Sequence, residues 1–264
     1  MKHLTSRDNP RLKQLRRWAS HGRSRREAGV ILLDGLHLIH ALLDAGGVIE
    51  QLIVSESGLA RPEISGWLLG RPPVEGNRGD DSVLLPDTLF GEIAATETPS
   101  GILAVARGPT MGSTIDAGSD ALVLDGVQDP GNVGTLLRTA AAAGVRQAWL
   151  GGGCADPWGP KALRAGQGAQ FELAIHEHCD LPALLGAYRG TSIVTRLDAA
   201  NPLYETDLAG PLAWVFGAEG QGVSALVAEA ATLGVVIPMP GRVESLNVAA
   251  AAAICLFEMI RRRR

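Results

Sequence analysis

Ala121-Leu122-Val123-Leu124-Asp125-Gly126-Val127-Gln128-Asp129-Pro130-Gly131-Asn132-Val133-Gly134-Thr135-Leu136-Leu137-Arg138 is the stretch on which the reading of the fold turns. The apolar run 121–127 lacks the alternation of a half-exposed strand, so it reads as a strand buried on both faces. Pro130-Gly131 makes a turn, and Asn132 stands where a helix N-cap belongs. The helix expected over 132–143 carries a small-residue face from Gly134 and Ala140–Ala143, and Gly144 stops it. The same rhythm continues outward. Strands are expected at 147–151, 171–175, 191–197, 212–217 and 234–238, and helices at 181–189, 222–230 and 245–262. Buried strands alternating with helices predict an α/β fold with a parallel sheet covered on both sides.

Toward the amino terminus the pattern differs. Val30–Leu33, Gln51–Ser55 and Ile102–Ala106 read as strands, and Leu36–Leu43 reads as a helix stopped by Gly46-Gly47. Residues 70–82 are rich in Gly, Pro and charge and read as a loop. Residues 107–119 have no periodicity and read as a linker, which gives a smaller α/β domain over 1–106 and a larger one over 120–264. The chain of 264 residues is 46% hydrophobic and 20% charged, as expected of a folded globular protein. No run is long and apolar enough to span a membrane, and no signal-peptide core follows Met1. Three scattered cysteines fit a reducing, cytoplasmic setting.

Net charge is −4, yet the cations are unevenly spread. Lys2, Arg7, Arg11, Lys13, Arg16, Arg17, Arg23, Arg25 and Arg26 precede Glu27 with only Asp8 against them. This run suits phosphates, with Arg7, Arg11, Lys13, Arg16 and Arg17 as candidate RNA contacts; a solvated helix face is the plain alternative. The terminal Arg261–Arg264 reads as a solvating tail that favours the last helix's dipole.

Ligands of open α/β sheets bind beyond the carboxyl ends of the strands. Neither a dinucleotide fingerprint nor a phosphate-binding P-loop stands there. Three other loops do. The first is 125–138, with Asn132 and Arg138. The second is Phe216-Gly217-Ala218-Glu219-Gly220-Gln221-Gly222, whose glycines let backbone pass close to a ligand. The third is Ile237-Pro238-Met239-Pro240-Gly241-Arg242-Val243-Glu244-Ser245-Leu246-Asn247, where two prolines remove donors and leave carbonyls free for an amine. Ser245 can cap the last helix. Asn247 suits a helix start only if its amide has a partner.

Together and in this order the three loops resemble the motifs of the SpoU (TrmH) family of the SPOUT superfamily. Gly159-Pro160-Lys161-Ala162-Leu163-Arg164-Ala165-Gly166-Gln167-Gly168-Ala169 adds to the resemblance. So do Leu33-Asp34-Gly35 and Thr98-Pro99-Ser100-Gly101-Ile102 in the first half, where the family usually has Glu at Asp34 and often Gln at Ser100. The resemblance implies a carboxy-terminal trefoil-knotted methyltransferase domain behind an RNA-binding domain. It implies transfer of a methyl group from S-adenosylmethionine to a ribose 2′-hydroxyl of RNA, with ribosomal RNA favoured over tRNA. It also implies a homodimer with active sites at the subunit interface. By the same resemblance Gly217, Glu219, Gly220, Ile237, Met239 and Leu246 line the cofactor pocket. Asn132, Arg138, Glu219, Ser245 and Asn247 form the catalytic set. Arg138 corresponds to the family's catalytic arginine, although a guanidinium is a poor base.

The competing reading is a non-catalytic RNA-binding or ribosome-assembly protein that retains the fold; the presence of the whole catalytic set speaks against it. Base methylation would need a further acid or base near the cofactor. His176-Glu177-His178-Cys179 has metal-site residue types but no second cluster to complete a tetrahedron, so it reads as a surface pair, with no metal expected.

Overall fold

The computed structural model describes residues 1–70, 82–94, 98–108 and 114–263. Most of the loop read at 70–82 and residues 109–113 of the linker lie outside these. Contacts divide the chain into two units: residues 1–110 with 158–168, and residues 111–157 with 169–264.

The first unit contains β1 (Lys2–His3), α1 (Pro10–Ser20), α2 (Gly22–Ala28), β2 (Val30–Asp34), α3 (Leu36–Asp44), β3 (Ile49–Ser55), α4 (Glu56–Leu59), α5 (Pro62–Gly70), β4 (Val83–Leu85), α6 (Asp87–Gly91) and β5 (Ile102–Arg107). Its sheet runs β1-β4-β3-β5-β2, with β5 antiparallel to both neighbours. Leu12 and Leu15 of α1 and Phe90 of α6 pack with Leu32, Ile53 and Leu103 in one buried cluster. The basic run is therefore mostly an amphipathic helix. Asn9 caps it by accepting the Arg11 N–H, and Pro10 opens it.

The second unit contains β6 (Ala121–Asp125), α7 (Pro130–Ala142) and β7 (Gln147–Leu150). The chain then leaves to place α8 (Pro160–Gly166) in the first unit. It returns through a 3₁₀ turn (Ala169–Glu172) to β8 (Ala174–His176), α9 (Leu181–Ala187), β9 (Thr191–Thr195), β10 (Asn201–Pro202), β11 (Leu212–Gly217), α10 (Ala225–Ala230), β12 (Leu233–Val236) and α11 (Val248–Arg263). The sheet order is β10-β12-β9-β11-β6-β7-β8, parallel throughout. Alternate residues of each strand feed two cores. Leu122, Leu124, Trp214 and Phe216 face α7 and α11, whereas Val123, Trp149 and Val215 pack with Leu181 and Leu185 of α9 and Val227 of α10.

Four boundaries depart from the sequence reading. The strand expected at 171–175 is a 3₁₀ turn followed by β8, because Gln167 (φ 52°) and Gly168 (φ 87°) end α8 in the left-handed region. The helix expected from 222 starts at Ala225, because Gly222 is held in a bridge to Ala218. Helix α7 starts at Pro130 with Asp129 as its cap, so Asn132 is its third residue and not its N-cap. Helix α11 starts at Val248, and Asn247, not Ser245, accepts the Ala249 and Ala250 N–H groups.

Candidate active site

Strands β11 and β6 lie side by side, with Gly217 opposite Asp125. Because β6 has β7 on its other side, their carboxyl ends mark where the strand order reverses, the usual crevice of such sheets. Three connections emerge there or beside it. Gly126 (φ 69°) turns the chain out of β6, and the Asp125 carboxylate accepts the Ser224 N–H at 2.7 Å, tying the first loop to the second.

One chain of hydrogen bonds then joins all three. Gln128 N–H donates to Glu219 Oε2 at 3.3 Å, and Asn132 Nδ2 donates to Glu219 Oε1 at 2.7 Å. Asn247 Nδ2 donates to Asn132 Oδ1 at 3.1 Å, while Asn247 Oδ1 caps α11. Burial disfavours the charge on Glu219, but the Asn132 amide and the Gln128 and Asp129 N–H groups outweigh it, and its carboxyl lies below the usual range. Each asparagine amide keeps a second N–H for a substrate oxygen.

Arg138 is exposed on α7 about two turns beyond Gly131, and its side chain has no hydrogen bond or ion pair among the described residues. Gly217 is buried against the glycine loop: a Cβ there would overlap the Gly222 carbonyl. Glu219 and Gly220 are exposed at the tip of that loop, Ile237 and Met239 are half-buried, and Leu246 is 36% exposed. Among the described residues, the backbone of 237–246 has no hydrogen-bond partner within the chain. A run of unpaired carbonyls and amides beside a polar constellation is a surface prepared to read a polar ligand. Ser245 is exposed next to the constellation and bonded to none of its members.

Asp125, Gln128 and Asp129 were not singled out from the sequence. Asp125 carries a readable signal, a carboxylate at the end of an otherwise apolar strand. The candidate RNA contacts of the basic run are largely committed to the chain itself. Arg7 and Arg16 pair with Glu92, Lys13 pairs with Asp8 at 2.9 Å, and Arg17 donates to Ser24 Oγ at 2.9 Å. Arg25 is buried against the Trp18 carbonyl. Among the described residues no group of three His, Cys, Asp or Glu could hold a metal ion, and no helix is long and apolar enough to cross a membrane.

Residues 120–257 match the model of the SpoU rRNA methylase family, and residues 9–104 match the MRM3-like substrate binding domain. The chain is 30% identical over 262 residues to the 23S rRNA (guanosine(2553)-2′-O)-methyltransferase RlmP of Bacillus subtilis, covering 98% of this chain and 99% of that protein. It is 34% identical over 270 residues to an uncharacterized tRNA/rRNA methyltransferase of Synechocystis, covering 98% and 94%. A crystal structure described as an RNA 2′-O ribose methyltransferase superposes with TM-score 0.84 at 30% identity over 99% of both chains. The AdoMet-bound rRNA methyltransferase of Sinorhizobium meliloti superposes with TM-score 0.81 at 27% identity, over 99% of this chain and 98% of that one.

Proposed function

The chain belongs to the SpoU rRNA methylase family, and from that premise we propose that its chemistry is performed where Glu219, Asn132 and Asn247 meet. The protein is an RNA 2′-O-ribose methyltransferase that uses S-adenosylmethionine, with ribosomal RNA as the favoured substrate. The hydrogen-bond chain across the three loops carries the assignment of the site. The residues present also fit the cofactor. The unpaired backbone of 237–246 offers carbonyls to an adenine amine, and Pro238 and Pro240 fix φ and remove two competing donors there. Gly217 lets the glycine loop fold back against β11, Gly220 leaves open space at the loop tip, and Ile237, Met239 and Leu246 serve as apolar walls.

When bound, the cofactor supplies an electrophilic methyl group. The chain's own residues prepare the oxygen that receives it. Ionised Glu219 fixes the Asn132 amide, and Asn132 in turn fixes Asn247. The second N–H groups of both amides, with the Ser245 hydroxyl, orient the ribose hydroxyl or its neighbouring phosphate. Arg138, a fixed planar cation, stabilises the ribose oxygen as its proton leaves to water and the methyl group arrives. In this reading β11 through α11 form the family's trefoil knot, and two copies assemble so that active sites lie at their interface. Exposed Thr135, Arg138 and Ala142 on α7, with Ala250 and Phe257 on α11, support that pairing. The first unit serves as the RNA substrate-binding domain, and the second unit carries the methyltransferase.

Single-turnover methylation of ribosomal RNA with labelled S-adenosylmethionine tests the assignment. Arg138→Ala should slow the chemical step about 10²–10³-fold with little change in cofactor affinity. Arg138→Lys should rescue poorly, because a point charge cannot reproduce a planar fork. An alanine variant that methylates saturating RNA at the wild-type rate would make Arg138 a capture residue.

A further inference from the structure

The lysine and arginine side chains that have no hydrogen bond or ion pair, among the described residues, are Lys2, Arg138, Lys161, Arg164 and Arg242. Arg138 and Arg242 belong to loops already assigned. Lys161 and Arg164 do not. Both are exposed on α8, three residues apart, and therefore on one helical face. The opposite face, with buried Ala162, Leu163 and Gly166, seats α8 in the first unit, where it packs on β2. The Gln167 carbonyl at its end lies 3.2 Å from His37 Nε2 of α3, and Gln167 is held in the left-handed region to make that contact.

We propose that this face of α8, bearing Lys161 and Arg164 beside His37, is a phosphate-contacting surface through which the first unit holds RNA. The inference rests on the reading of the protein as an RNA methyltransferase and deepens it. A cation already paired within the chain gains little from a phosphate, because the internal pair must first be broken. The paired side chains of α1 are in that position, and the two of α8 are not. The face also presents cations without an intervening acid, as a polyanion requires.

The test is the salt dependence of binding to a 23S rRNA transcript, measured by filter binding for the full chain. Each phosphate contact contributes about 0.7–0.9 to the slope of log affinity against log salt. Lys161→Ala combined with Arg164→Ala should reduce that slope by about 1.5 while cofactor affinity, measured by calorimetry, stays unchanged. The charge-preserving pair Lys161→Arg with Arg164→Lys should keep the slope. An unchanged slope in the alanine pair overturns the proposal and leaves the methyltransferase reading standing. Equal losses in both pairs also overturn it, since packing and not charge would then be at work. A wild-type chain that binds no RNA would remove the proposal and the RNA reading together.

Discussion

Asn132 lies inside its helix and not at the cap, and its amide serves two other loops. An asparagine after Pro-Gly suggests a helix cap, and that local logic is satisfied one turn earlier by Asp129. What its amide does instead, receiving Asn247 and donating to Glu219, depends on loops 87 and 115 residues away that no local rule connects. Glu219 has a lowered pKa, so its stabilising charge is fully present above the unfolded value of about 4.3 and is lost as pH falls through the lower folded value. The constellation is therefore intact throughout the neutral range. Asn132→Asp would set a second carboxylate against Glu219, and the like charge raises the pH at which the pair loses its last proton. This variant should be nearly inactive at pH 8 and regain part of its activity toward pH 5, as one shared proton restores the donor. Asn132→Ala should be uniformly low. A pH–rate profile of the aspartate variant that parallels the wild type would remove the Glu219 contact from the working site. Gly217 makes a second prediction at this scale. Its Cβ would collide with backbone and not with open pocket space, so even Gly217→Ala should displace residues 218–223. Calorimetry should show cofactor binding lost, while the thermal melt keeps a single cooperative transition.

Helix α11 connects the site to the far end of the sheet, and both of its ends are clamped. At its start Asn247 both caps the helix and donates to Asn132, and two substitutions separate these roles. Asn247→Asp keeps the acceptor for Ala249 and Ala250 but loses the amide donor. It should retain the wild-type melting temperature and lose turnover. Asn247→Ala loses both and should also melt about 2–4 °C lower, given about 1 kcal/mol for a lost cap. Equal melting temperatures for the two variants would show that the cap contributes nothing. At its end Arg263 forks onto Asp120, which also accepts the Leu212 N–H at 2.8 Å, while Arg261 and Arg262 hold Glu258 down to about 2. The terminal arginines, read from the sequence as a solvating tail, are thus partly fasteners. Elements with a strong apolar period were legible: β2, α3, β3, β6, β11 and α9 fall within a residue or two of expectation. Helices α1, α2, α5 and α8 went unassigned because their cations, glycines and short lengths mask the period. Their faces are decided by what they pack on.

Contacts divide the molecule into two units, and the parallel sheet of the second was legible from the rhythm of buried strands and helices. The exchange of α8 was not, since nothing in Pro160–Gly166 marks it as belonging with β2 and not with its sequence neighbours. Leu12 and Leu15 of the basic run belong to the first core, so its cations are to be tested by point substitution and not by deletion of residues 1–26. Assembly is better probed on α11, where Phe257 is 50% exposed. Sedimentation should find a dimer at micromolar concentration, and Phe257→Asp should yield a folded monomer with little turnover. A fully active wild-type monomer would end that part of the proposal. The loan of α8 also has a consequence for synthesis. The last strand of the first unit ends at Arg107, yet the helix that seats on β2 closes only at Gly166. At about 5–20 residues per second, a nascent chain waits roughly 3–12 s between the two events. During that interval the flank of β2 is bare, so the amino-terminal part is finished only after the first strands of its neighbour have left the ribosome.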